Sequence, residues 1–115
     1  MDDEFDFKEV IVSKKVDIDL KEIYNYSVET FGERKAKEYA SYLYDTILSL
    51  DRNYLMYPQC QQLPTKRKIY RRIIAGSHII IYRIAKQIEV LRILHSSSSN
   101  RKIRSARTVE IFRIN

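Results

Sequence analysis

Between Ile69 and His95 the chain reads IYRRIIAGSHIIIYRIAKQIEVLRILH, with Arg71, Arg72, Arg83, Arg92 and His95 planted among apolar residues. Lys66, Arg67 and Lys68 form a basic run just before it. Guanidinium groups grip anions through paired N–H donors, so this set suits recognition of phosphates or carboxylates. His95 adds a side chain that can carry a proton near neutral pH, and Tyr82 adds a weaker donor. The spacing decides how these groups can act together. Side chains alternate between the two faces of a strand, so Arg71 and Arg72 point opposite ways, as do Tyr82 and Arg83. One buried face and one cationic face are therefore expected for this sheet, with function on the cationic one. Arg92 lies between Val90 and Leu94, a position for an internal ion pair or for a partner's carboxylates.

The elements that position these residues are short apolar runs rich in β-branched and aromatic side chains. Ile69–Ala75, His78–Ile84 and Ile88–Leu94 read as three strands. Gly76 and Ser77 form a two-residue hairpin turn, with glycine first as a type II′ turn wants. Upstream, Phe5–Ser13 ends in Val10-Ile11-Val12 and suggests an N-terminal strand. Asp17 or Asp19 then caps a helix, Asp19 with Glu22 imitating a capping box. Leu20, Ile23, Tyr24, Val28 and Phe31 share one face of it, and Gly32 is placed to end it in the left-handed conformation. A second helix starts near Glu33 with Ala36, Tyr39, Ala40, Leu43, Tyr44, Ile47 and Leu50 as its stripe. So short a connection folds the two helices into an antiparallel hairpin, and Ala36 and Ala40 permit close approach where they cross. Asp51–Lys68 is a loop punctuated by Pro58 and Pro64.

Composition sets the outer limits. A chain of 115 residues makes one domain and buries about two thirds of the surface its unfolded form exposes. Cys60 is the only cysteine, which rules out an internal disulfide and suits a reducing compartment. The acidic start MDDEFDFKE is unlike a signal peptide, and no apolar run approaches the roughly 20 residues of a membrane span. A cytoplasmic location with no membrane partner is expected. Metal-spaced Cys/His pairs and glycine-rich phosphate loops are lacking, so no metal or cofactor is expected. Charge is strongly segregated. Residues 1–65 hold eight Lys/Arg against thirteen Asp/Glu, and residues 66–115 hold thirteen against two. That polarity implies an anionic partner for the second half, either nucleic acid or an acidic protein segment.

The order of elements and the residues YRR, GSH, YR and VLRILH at these spacings resemble the RelE/ParE family of toxins from bacterial type II toxin–antitoxin modules. The similarity runs from about Val10 to His95 and is closer to the ParE branch. It implies an α+β fold: an N-terminal strand, a two-helix antiparallel hairpin, then a three-stranded antiparallel meander packed on the helices. On that basis residues 1–95 form the toxin domain and residues 96–115 a basic C-terminal tail. The ParE likeness implies a poison of DNA gyrase that is not an enzyme, neutralised by a cognate antitoxin. Lys66, Arg67, Lys68, Arg71, Arg72, Tyr82, Arg83 and Arg92 are then the candidate contacts with target or antitoxin. The RelE alternative implies metal-independent cleavage of mRNA on the ribosome, with His95 as acid or base and Arg83 and Arg71 as phosphate clamps. After Ile-Leu-His the chain departs from the family pattern, with a serine run at Ser96–Ser99 and then a basic stretch. Toxicity in the family tends to reside in that segment, so an inactive toxin that still binds its antitoxin is a further reading.

Overall fold

The computed structural model describes residues 6–111. Its elements follow the order β1 (Val10–Val12), α1 (Lys14–Phe31), α2 (Glu33–Leu48), α3 (Leu50–Asn53), β2 (Tyr70–Ala75), β3 (His78–Ile84), β4 (Ile88–His95) and α4 (Asn100–Arg104). A 3-10 turn, Ser105–Thr108, follows. The α+β architecture expected from the sequence is present, helix hairpin and meander included. Strands lie in the order β1-β4-β3-β2, with β1 parallel to β4 and the meander antiparallel. Phe5, the start of the first predicted strand, lies outside the described residues, as do Phe112–Ile114 of the C-terminal stretch. Val109–Ile111 is irregular. No helix among the described residues is long and apolar enough to cross a membrane.

Local chemistry explains the element ends. Ser13, not an aspartate, caps α1, its hydroxyl accepting the Val16 N–H at 3.1 Å. Asp19 sits well inside the helix and turns inward, which frees it for another task. Gly32 does end α1, at φ 91° and ψ 165°. That is not the left-handed helical region but one that glycine alone reaches readily. Gly76 turns the β2–β3 hairpin at φ 60°, and a Cβ there would come within 2.7 Å of the Tyr39 ring. Glycine is needed at this turn both for its conformation and for the approach of α2.

Both faces of the sheet are buried, contrary to the expectation of one bare cationic face. On one side α1 and α2 cover Ile73, Ile80, Tyr82, Val90 and Ile93 with Val16, Leu43 and Ile47. On the other, Cys60 and Leu63 from the loop and Ile103 and Ala106 from the C-terminal segment cover Tyr70, Ile79, Ile81, Leu91 and Leu94. β4 is therefore a central strand with apolar cover above and below, and every residue from Ile88 to Leu94 except Arg92 is buried. Between Ile81 and Tyr82 the register with β4 steps by one residue, leaving Leu91 over as a bulge. A bulge re-aims the side chains beyond it. Part of the segment read as a tail thus supplies core residues.

Replacing Ile103 with alanine should cost about 2 kcal/mol, the low end for such truncations because a short terminal element can relax. Urea unfolding of the variant should show an earlier midpoint. An unchanged midpoint would mean that the C-terminal layer adds nothing to the core.

Candidate functional site

The strand register brings His78 opposite His95 at the end of the β3–β4 ladder, with ring centroids 5.5 Å apart. His78 Nδ1 lies 2.6 Å from the Tyr39 hydroxyl of α2, which also accepts the Ser77 N–H at 3.3 Å. Burial, and secondarily the neighbouring His95, hold the His78 pKa below the usual histidine value. His95 is exposed, and its Nδ1 accepts the Ser97 N–H at 3.1 Å. Next to this pair, Arg92 donates through Nε and Nη2 to the two carboxylate oxygens of Asp19, both at 2.9 Å. Asp19 Oδ2 also accepts the Ile93 N–H at 2.9 Å. The ion pair is largely buried, with 16% of the Arg92 side chain and 6% of that of Asp19 exposed. Asp19, Arg92, His78 and His95 line a cleft of about 460 Å³, together with Glu22, Tyr26, Phe31 and Lys102. Tyr26 and Phe31 are 66% and 62% exposed, a large apolar offering beside a charged floor.

The other predicted site residues are distributed differently from the sequence expectation. Arg71 donates to three carbonyls, those of Lys68, Leu55 and Tyr57, and so staples the loop to β2. Arg83 pairs with the buried Glu89 at 2.6 Å and stacks 5.7 Å over the Tyr70 ring. Tyr82 is fully buried and donates to the Tyr54 carbonyl at 2.6 Å, which removes it from any docking surface. Its hydroxyl pKa is driven up by burial. Lys66, Arg67 and Lys68 are exposed as expected, Lys68 at an unusual φ of 56°. Arg72 is half-buried on the face opposite α1 and α2 and lines a polar pocket there. Arg92 is consumed by Asp19, so of its two predicted uses the internal ion pair is the one found.

His95, Arg83 and Arg71 do not converge. Arg83 is five residues from His78 along β3, about 17 Å at strand spacing. Arg71 pairs with Tyr82, four residues from His78, about 13 Å away. Among the described residues no three His, Cys, Asp or Glu side chains gather as a metal site requires. Sequence reasoning missed His78, Tyr39 and Asp19. Its position two residues after the turn glycine places His78 across from Ala75 at the start of β3, but its pairing with His95 comes from the register of β3 with β4, which no local signal carries.

The family model for the ParE toxin of type II toxin-antitoxin systems, parDE, matches residues 10–99. Toxin ParE1 of Caulobacter vibrioides is 33% identical over 90 residues, which cover 78% of this chain and 91% of that protein. A chain from the chromosomal ParDE TA system of P. aeruginosa has the same fold, with a TM-score of 0.64 at 20% identity over 77% of this chain and 96% of that one. The chain belongs to the ParE toxin family of type II toxin–antitoxin systems. α4 and the 3-10 turn lie beyond the residues that the family model matches.

Removing one member of a buried ion pair strands the other without a partner. Asp19→Ala should therefore cost about 3–5 kcal/mol, whereas Asp19→Leu combined with Arg92→Met should recover most of the loss. Equilibrium denaturation of both variants checks this. A loss below about 1 kcal/mol for the single variant would show that the pair does not hold α1 to the sheet.

Proposed function

We propose that this protein is a growth-inhibiting toxin that acts on DNA gyrase, cleaves no substrate itself, and is neutralised by a cognate antitoxin. The carrying observation is the 33% identity to Toxin ParE1 across nearly the whole of that protein. The arrangement of cations supports the same reading. Cleavage of RNA through its 2′-hydroxyl needs a base, an acid and cations around one phosphate. Here Arg83, Arg71 and Arg92 are each engaged within the fold, Tyr82 is buried, and His95 stands apart from Arg83 and Arg71. Such a toxin works by docking.

For the antitoxin, the cleft beside Asp19 and Arg92 offers exposed Tyr26 and Phe31 next to His78, His95 and Lys102. An acidic, partly apolar segment that folds on binding suits this mixture of aromatic and cationic groups. Charge segregation along the chain favours the same partner.

Purified full-length chain should inhibit supercoiling of relaxed plasmid by gyrase, and the co-encoded antitoxin should restore it. His95→Ala should inhibit as well as the parent, since a docking toxin needs no general base. Degradation of ribosome-bound mRNA by the parent chain, abolished in His95→Ala, would overturn the proposal in favour of the ribonuclease.

A further inference from the structure

Each of the four arginines in the meander has a different fate, and one is left over. Arg71 is held by carbonyls, Arg83 by Glu89 and Arg92 by Asp19. The guanidinium of Arg72 has no hydrogen bond or ion pair among the described residues. It is half-buried all the same. A partly desolvated cation without a partner is costly, and an arginine so placed is set up to receive an anion.

The surroundings of Arg72 fit an anion too. It lines a pocket of about 310 Å³ with Gln62, Ser96, Ser98 and Asn100, above the apolar floor of Ile79, Ile81 and Ile103. No acidic side chain lines this pocket. Gln62 Nε2 donates to Asn100 Oδ1 at 3.1 Å, which leaves the Asn100 amide N–H groups as its free end. The Ser96 and Ser98 hydroxyls add two donors whose only hydrogen bonds among the described residues run through their backbones: Ser96 N–H to Ser77 at 2.8 Å and Ser98 N–H to His95 at 3.0 Å. Cys60 contributes no competing charge, because burial pushes its thiol pKa up and keeps it neutral.

We propose that this pocket binds a phosphate monoester, with the Arg72 fork on two phosphate oxygens and Ser96, Ser98 and Asn100 donating to the remainder. A phosphate monoester carries three terminal oxygens where a carboxylate carries two, so once the Arg72 fork has taken two of them a third is left for the serine and asparagine donors. The bound group would join β2, the loop at Gln62, the turn after β4 and α4. It would thereby fasten the C-terminal layer, which lies beyond the family match, onto the sheet. This site shares no lining residue with the Asp19–Arg92 cleft and does not depend on which target the toxin strikes.

Calorimetric titration of the full chain with inorganic phosphate, in chloride buffer, tests the proposal. Saturable one-to-one binding at about 1 mM or tighter is expected. Arg72→Gln should weaken it at least about tenfold, the loss of one charge-assisted contact, while Arg67→Gln on the exposed run leaves it unchanged. Asn100→Ala, at an exposed position, should weaken it about threefold, and decides the matter if circular dichroism shows Arg72→Gln unfolded. Absence of saturable binding by the parent chain overturns the proposal. So does equal weakening by Arg67→Gln, which would mark a diffuse basic surface, or binding of succinate as tightly as phosphate. Adenosine 5′-monophosphate binding where a 5′-phosphorylated trinucleotide fails assigns the source to a free nucleotide, and the reverse assigns it to a nucleic-acid end; both outcomes support the phosphate site.

Discussion

The buried contact between Asp19 and Arg92 fixes how the two halves of this protein meet. Asp19 comes from the acidic N-terminal half and Arg92 from the basic C-terminal half, 73 residues apart. The carboxylate takes both Arg92 donors and the Ile93 N–H, so three hydrogen bonds lock one turn of α1 against β4. Taking two charges out of water is expensive, and only such complete pairing offsets the cost. The pair acts chiefly on orientation: helix α1 has one rotation about its axis at which Asp19 reaches Arg92. Just upstream Ser13 bonds to β4 through its N–H and its hydroxyl, to Val90 and Leu91, while capping α1. β1, the cap and the first turns of α1 are thus all registered against the central strand.

Once α1 is set, the rest of the packing follows. α2 doubles back at Gly32, and Tyr39 reaches the β2–β3 turn where Gly76 makes room for its ring. The opposite face of the sheet is left to the loop at Cys60 and Leu63 and to the C-terminal segment, with Ile103 and Ala106 as its contribution. A sheet covered on both sides has little area for a row of free cations. Most of its arginines are accordingly spent on internal partners. The surfaces that remain for a macromolecular partner include the cleft edges, the exposed aromatics of the helix hairpin and the exposed basic run at Lys66, Arg67 and Lys68. That is the physical basis for reading this family member as a docking protein.

Much of this was legible in the sequence. The hairpin glycines, the helix stripes and the three runs of β-branched residues each carry a local signal. They placed the meander strands and the turn between α1 and α2 within a residue or two, while the cap of α1, Ser13, lies four residues or more before the predicted aspartate cap. Alternation correctly put Tyr82 and Arg83 on opposite faces of β3. What it could not supply was the depth of each face. The C-terminal layer is written as NRKIRSAR, with Ile103 and Ala106 three apart among four cations, too sparse a stripe to announce a covering element. Asp19 resembled a cap because a helix cap and a buried ion pair draw on the same residue type, and only the partner 73 residues away tells them apart. His78 and His95 become neighbours through strand register, a long-range fact that no local pattern holds.

What stops first in a cell separates a gyrase-directed toxin from a ribonuclease most directly. Pulse-labelling DNA and protein synthesis separately, within minutes of inducing this chain alone, reads that without assuming a binding surface. Arrest of DNA synthesis while translation continues is the result predicted for a gyrase-directed toxin whose arginines serve the fold. Immediate arrest of translation with DNA synthesis continuing would contradict it, and would return His95 to the position of a catalytic residue.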